Sequence, residues 1–307
     1  MCNNVGREDV RLRVSVIIPT LNAGAWIVPL LESLRTQSRR PDEVLVVDSD
    51  SADGTAALAR QHGARVLTLR RECFDHGGTR DWALRQSCGD IVFFLTQDAL
   101  PADDRYVERL LTPFEDLRVS AASGRQLPRP EARLYVKAVQ AYRYPAQSRV
   151  WDAADADALG LRAFHLSDAC AAYRRSAYEA VGGFVTSLPT NEDMLIASAF
   201  LKDGWRLAYC AEATVLHSHS FTFRQEYLRN RQVGRFLARY ASRLGSSGEL
   251  GEGMRMARAV SLQLLRDGHV MECAAFALNC AARLLGSRAG RRDEARRQRG
   301  QSRAYEG

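Results

Sequence analysis

Short apolar runs of strand length alternate with helical stretches through the first hundred residues. Residues 14–19 (VSVIIP), 43–48 (EVLVVD), 65–69 and 90–95 (DIVFFL) read as strands, β-branched or aromatic and bounded by polar residues. Between them, residues 25–35 carry Trp26, Ile27, Leu30, Leu31 and Leu34 at helical spacing. Residues 51–62 form a second helix closed by Gly63, and 78–88 a third ended by Gly89. Such alternation predicts a parallel, right-handed α/β sheet. Ligands of these sheets bind beyond the carboxyl ends of the strands. Asn22, Asp48, Asp50 and Asp98 fall at those ends, so a polar site is expected there.

The second half is less regular. Residues 127–130 read as a loop, 169–173 as a short apolar segment and Gly182-Gly183 as a turn. Residues 191–203 predict a helix with Glu192 and Asp193 in its first turn, 205–210 a strand, and 222–244 an Arg-rich helical stretch. Residues 245–253 (GSSGELGEG) read as a linker to a helical C-terminal region. Residues 270–285 are apolar but contain Glu272 and Arg283, which predicts a buried or interfacial helix and no membrane span. The start of the chain has no apolar run after its charges, so no secretory signal is expected. The seven cysteines include no CxxC pair, which argues against a zinc ribbon and fits a reducing cytoplasm. The net charge is +7, and residues 288–307 hold seven Arg against three acids. Such a tail suits either an anionic surface or a solvated, frayed end.

Five constellations carry possible chemistry. Asp48 and Asp50 could accept a hydrogen bond from a pyrimidine base, while Asp53 reads as a cap of the next helix. Asp98, in TQD after the fourth strand, offers oxygen to Mg²⁺ or Mn²⁺. His217-Ser218-His219 places two imidazoles on one side of an extended segment, available to the same metal. Asn191-Glu192-Asp193 places acids at a helix start, as dipole partners or as a general base. In FDHGGTR, Gly77 and Gly78 would let backbone approach a ligand, and Arg80 could pair with a diphosphate. The P-loop and dinucleotide fingerprints GxxxxGKS and GxGxxG are absent.

Taken in order, these segments resemble the family 2 glycosyltransferases, and among them the bacterial rhamnosyltransferases. The resemblance runs from about residue 14 to 240 through VSVIIPTLN, VVDSDSADGT, FDHGGTRDWA, FFLTQDALP, GRQLPRPEA, SDACAAYRRSAYEAVGGF, NEDMLIASAFLKDGW and VLHSHSFTFRQEYLRNRQVGRF. Asp50 stands where this family usually has Gly, Asp81 where Asn is usual and Asp168 where Asn is common. The resemblance implies a GT-A fold, a Rossmann-like, mixed and mainly parallel sheet flanked by helices, here with a helical C-terminal extension. Residues 1–244 would form the catalytic domain, with a nucleotide-sugar half at about 12–125 and an acceptor half at 126–244, and 245–307 the linker, helices and basic tail.

It also implies an inverting, metal-dependent transfer of a sugar to a glycan or lipid-linked hydroxyl in surface polysaccharide synthesis, with dTDP-β-L-rhamnose as donor. Pro19, Thr20, Asn22, Asp48, Asp50, Gly77, Gly78, Arg80, Gln97 and Asp98 would line the donor site, and Asp98, His217 and His219 the Mg²⁺ or Mn²⁺ site. His217, directly after a strand end, is the favoured histidine. Asp193, or else Glu192, would be the base. A different donor such as a UDP-sugar is the nearest alternative. A nucleic-acid-binding protein fits the basic charge, but the chain lacks helix-turn-helix, zinc-finger and RNP patterns. A two-metal hydrolase lacks further acidic ligands. The expected location is cytoplasmic, with peripheral contact at the inner membrane face.

Overall fold

A computed structural model describes residues 11–188, 190–244 and 249–305. Its strands are β1 (Val14–Thr20), β2 (Glu43–Asp48), β3 (Arg65–Thr68), β4 (Ile91–Leu95), β5 (Leu100–Pro101), β6 (Val119–Leu127), β7 (Arg149–Trp151), β8 (Cys170–Arg174) and β9 (Arg206–Leu216). The helices are α1 (Gly24–Arg35), α2 (Thr55–Gln61), α3 (His76–Gln86), α4 (Tyr106–Leu111), α5 (Leu134–Arg143), α6 (Ala156–Leu159), α7 (Arg175–Ala180), α8 (Glu192–Lys202), α9 (Phe223–Arg239), α10 (Ala241–Leu244), α11 (Glu249–Arg266) and α12 (Val270–Tyr305).

One nine-stranded sheet runs in the order β3-β2-β1-β4-β8-β6-β9-β5, with β7 also on β9. The first four strands are parallel, as their alternation with α1–α3 predicts. β8 then runs antiparallel between β4 and β6, and β9 resumes the first direction beside β6. Apolar side chains from β1 and β4 fill both faces of the sheet. Val16, Ile18 and Phe93 pack toward α1, and Ile17, Val92 and Phe94 toward α3 and α8.

The C-terminal part differs from its sequence reading. Glu249–Gly253, expected in a linker, are the first residues of α11, while residues 245–248 lie outside the described residues. The apolar segment at 270–285 and the basic segment beyond it are one helix, α12, so residues 288–305 are not a frayed coil. Within Val270–Arg299 an 18-residue window reaches a mean hydropathy of 1.2, enough by length and composition to cross a membrane, and 22% of it is buried. Two charged residues of this stretch are paired to the rest of the protein. Glu272 accepts from Arg133 at 2.9 Å, and Arg283 pairs with the buried Glu226 of α9 at 2.6 Å.

α12 lies parallel to α9 at a separation only glycine allows. A Cβ on Gly290 would stand 2.0 Å from the Arg231 carbonyl oxygen, one on Gly286 2.3 Å from that of Tyr227, and one on Gly234 2.3 Å from that of Ser287. These obstacles are backbone atoms, so no rotamer change relieves them. Gly290→Val is therefore expected to cost about 1–3 kcal/mol through overpacking, read as a lowered Tm. An unchanged Tm would mean that the two helices can separate freely.

Candidate active site

The ligand edge of the sheet is stitched by side chains that bind neighbouring loops. Pro19 and Thr20 end β1 beside Val47 and Asp48 of β2. The Thr20 hydroxyl donates to Asp48 Oδ1 at 3.1 Å, and the Ser51 amide donates to Asp48 Oδ2 at 3.0 Å. Asp48 is thereby buried and fixed, with lone pairs left on both oxygens. Asn22 and Asp50 hold left-handed backbone, at φ 51° and 59°. That conformation favours Gly, Asn or Asp, which accounts physically for Asp50 at a position where Gly also serves. Asn22 Oδ1 accepts from the Ala52 amide at 3.0 Å. Asp53 binds both flanking helices, accepting from the Gly24 amide at 2.7 Å and the Thr55 amide at 3.1 Å.

Gln97 is held by the chain itself. Its amide accepts from the Leu21 N–H at 2.8 Å and donates to the Leu21 carbonyl at 3.2 Å, which fixes the loop after β1.

The strands bring Asp98, His217 and His219 together. β5 pairs antiparallel with β9, Leu100 opposite Leu216. Asp98 lies two residues before Leu100 and His217 directly after Leu216, so this register makes them neighbours. Asp98 Oδ1 is 3.5 Å from His217 Nε2, and Oδ2 is 3.6 Å from His219 Nε2. One ligand atom from each residue lies within 4.8 Å of the other two.

β6 supplies the outer support. Gln126 Oε1 accepts from His217 Nδ1 at 2.8 Å, while its own Nε2 donates to Ser167 Oγ at 2.8 Å. This leaves His217 Nε2 as the lone-pair nitrogen, buried and without a hydrogen-bond partner in the protein. Burial acts against ionisation of Asp98, but the adjacent His217 and His219 outweigh it and hold its pKa down to about 2. Burial, with the charges of His217, Arg229 and Arg129, also lowers His219 against the pull of Asp98. An ionised carboxylate and neutral imidazoles are the forms a divalent cation binds. The residues fit a hard-to-borderline ion such as Mg²⁺ or Mn²⁺.

Two guanidiniums flank this cluster, each on an aromatic face. Arg129 stacks 4.1 Å from the Trp26 ring centroid and donates to the Asp98 carbonyl at 2.5 Å. Arg229 sits 5.2 Å from the Phe221 centroid, and Phe221 stacks on His219 at 5.1 Å. Neither arginine has a carboxylate partner within salt-bridge distance among the described residues.

Arg80 is placed differently from its sequence reading. It is buried, donates to Glu192 Oε1 at 2.9 Å and to the His76 carbonyl at 3.0 Å, and its Nε lies 3.5 Å from Asp168 Oδ2. Glu192 and Asp168 thus pair with the guanidinium that the sequence reading assigned to a diphosphate. The glycines before it serve the chain as well. A Cβ on Gly77 would meet the Val185 carbonyl at 2.4 Å, and the Gly78 amide donates to the α3 cap Asp75 at 2.6 Å.

Glu192 and Asp193 open α8, after Asn191 in left-handed backbone at φ 65°. Glu192 is buried on Arg80, whereas Asp193 is half-buried, its Oδ1 accepting from the Met194 amide at 2.8 Å. Burial and the nearby charges of Asp168 and Glu192 raise the Asp193 pKa well above the ordinary carboxylate range. Burial pushes Asp168 up to about 6 against the pull of Arg80, while Tyr173 donates to its Oδ1 at 2.6 Å. Of the two acids at this helix start, Glu192 is committed to an ion pair and Asp193 keeps a reachable oxygen and a raised proton affinity. Sequence reasoning missed Gln126 and Arg129. Their only signal was the GRQLPRPEA stretch, which carries no pattern interpretable by residue type alone.

The profile of "Glycosyl transferase family 2" matches residues 15–182. The O-antigen chain rhamnosyltransferase RfbN of Salmonella typhimurium is 36% identical over 261 residues, 83% of this chain and 82% of that protein. The O-antigen chain rhamnosyltransferase WbaN of Salmonella anatum is 35% identical, over 82% of this chain and 81% of its own length. Among solved structures, the mannosyltransferase PcManGT from Pyrobaculum calidifontis, in complex with GDP-Man and Mn²⁺, superposes with a TM-score of 0.63 at 20% identity, over 94% of this chain and 88% of that one. The glucosyl-3-phosphoglycerate synthase from Mycobacterium tuberculosis, with Mn²⁺ and UDP, gives 0.52 at 20% identity, over 78% and 82%. The nine-stranded mixed sheet, in which six strands share one direction, and its flanking helices are thus a GT-A fold. The chain belongs to glycosyl transferase family 2, and it is a glycosyltransferase.

Proposed function

We propose that this protein transfers L-rhamnose from dTDP-β-L-rhamnose, with inversion, to a hydroxyl of a glycan or lipid-linked acceptor in surface polysaccharide synthesis, acting at the cytoplasmic side of the membrane. The observation that carries the sugar and the pathway class is the 36% identity, over four-fifths of both chains, to a protein named as an O-antigen chain rhamnosyltransferase. The chemistry rests on the site itself. Asp98, His217 and His219 would hold the divalent cation, with Gln126 orienting His217. When bound, such an ion neutralises charge on a diphosphate.

The remaining roles belong to this chain's side chains. Asp48 faces the base, within the loops fixed by Asn22, Asp50 and Gln97. Arg129 and Arg229 supply the positive charge that Arg80 cannot, held flat by Trp26 and Phe221. Asp193 takes the proton of the acceptor hydroxyl. The acceptor oxygen then forms its bond to the anomeric carbon as the bond from that carbon to the donor phosphate oxygen breaks, and the electron pair leaves with the nucleoside diphosphate. A single displacement inverts the centre and needs no carboxylate nucleophile.

The deciding experiment incubates the protein with Mn²⁺ and a panel of dTDP- and UDP-sugars and measures donor hydrolysis. Selective hydrolysis of dTDP-rhamnose supports the reading, and preference for a UDP-sugar overturns the donor assignment.

Four variants test these roles. In a Mn²⁺ titration by calorimetry, Asp98→Ala is expected to abolish binding. Gln126→Leu should weaken it about 10–100-fold, because it frees the ring that it orients. Asp193→Asn keeps shape and removes the base, so turnover should fall by about 10²-fold or more with nucleotide affinity unchanged. Deprotonated Asp193 is the active form, so the wild-type rate should rise with pH through a value above the ordinary carboxylate range. Full turnover in Asp193→Asn with a dead Glu192→Gln would exchange the two roles. Arg129→Ala should weaken dTDP binding about 10-fold or more, since charge-assisted hydrogen bonds are the strong ones. Equal affinity would remove Arg129 from the donor site.

A further inference from the structure

α12 carries one exposed stripe that changes character along its length. Met271, Leu278 and Leu285 stand seven residues apart and are 81%, 63% and 51% exposed. Arg292 and Arg299 continue the same seven-residue step, also exposed. A repeat of seven drifts by only ~20° per step around an α-helix, so these residues form one slowly winding line. Its first half is apolar and its second half is basic.

The opposite side of α12 is committed to the protein. Phe276 packs with Tyr135 and Val139 of α5 and Val260 and Leu264 of α11, while Glu272 and Arg283 pair with Arg133 and Glu226. These contacts hold the helix lengthwise against the body, which opposes insertion across a bilayer. The adjoining α11 presents Leu262 and Leu265, 43% and 50% exposed, one and two turns from the exposed Arg258.

We infer that the stripe of α12, with Leu262 and Leu265 of α11, is a docking surface for an anionic lipid bilayer, on which the helix lies flat. An apolar line continued by arginines matches the acyl boundary and the acidic headgroups of such a surface. A second copy docked in parallel would oppose Arg292 and Arg299 to their own counterparts, so charge favours lipid as the occupant. The position suits the chemistry. α5 lies between this pair of helices and the metal cluster, and Gln140 of α5 donates to the His217 carbonyl at 2.5 Å. A lipid-linked acceptor held at the membrane would therefore meet the active site about two helix thicknesses away, ~20 Å. This inference rests on the lipid-linked acceptor proposed above.

The test is co-sedimentation of the full chain with vesicles of phosphatidylcholine alone or with phosphatidylglycerol, at low and high salt. The wild type is expected to sediment with the anionic vesicles, and less so at high salt. Leu278→Gln with Leu285→Gln should reduce the bound fraction about 10-fold. Arg292→Gln with Arg299→Gln should reduce it on anionic vesicles and flatten the salt dependence. Donor hydrolysis in solution should stay at the wild-type rate in both variants, which shows that they fold. Failure of the wild type to bind anionic vesicles, or equal binding to neutral ones, overturns the inference. So does a dimer by light scattering that Leu278→Gln with Leu285→Gln dissolves, with vesicle binding unchanged. If vesicles bind as expected but dTDP-rhamnose is not hydrolysed, the donor reading falls and the surface stands.

Discussion

The buried guanidinium of Arg80 joins the two halves of the catalytic machinery. It leaves α3, in the first half of the chain, and meets Glu192 at the start of α8 and Asp168 ahead of β8. Three charges at about one-twentieth exposure are costly to desolvate, and each depends on the others to remain ionised in place. Loss of the arginine alone would leave two buried carboxylates without a cation, a defect of about 3–5 kcal/mol. The link also fixes Glu192 and thereby the first turn of α8, so that Asp193, the next residue, presents its carboxyl at a set place. Burial, and then the field of the same acids, raises the proton affinity of Asp193.

The cluster of Asp98, His217 and His219 is built on a different logic. Its members come from the ends of strands, and its precision comes from register. β5 is two residues long, yet its pairing with β9 places Asp98 beside His217. β6, parallel to β9, delivers Gln126 to the back of the same imidazole. Between β4 and β6, β8 runs against both neighbours and opens with small side chains, Cys170, Ala171 and Ala172, ahead of the buried Tyr173 and Arg174.

The sequence showed the first part of the sheet clearly, because β1, β2 and β4 are β-branched or aromatic runs and α1 keeps its apolar face at regular spacing. β6 escaped it. VSAASGRQL is buried almost throughout, but most of its side chains are small or polar, and it pairs with the equally small Ala171 and Ala172 of β8 and Ala208 of β9, so no run of large apolar residues marks it. Asp98, His217, His219, Glu192 and Asp193 were visible as residue types at strand or helix ends. Arg80 was visible too, but its partners lie about a hundred residues away in sequence, and only the fold shows that it faces inward. The long α12 was broken in the reading at its change from apolar to basic residues. That change alters which medium one face meets and leaves backbone propensity intact.

The glycine contacts between α9 and α12 have a consequence for the histidine segment. α9 begins four residues after His219, and its first turns carry Arg229, stacked on the Phe221 that supports His219. On its other side the same helix is clasped by α12, with Gly286 and Gly290 seated on the Tyr227 and Arg231 carbonyls. The basic end of the chain is therefore a wall of the catalytic body. Truncating it would uncover the back of α9 and loosen the aromatic support of His219. On the cation site proposed above, a shortened protein loses cation affinity even in the absence of any membrane.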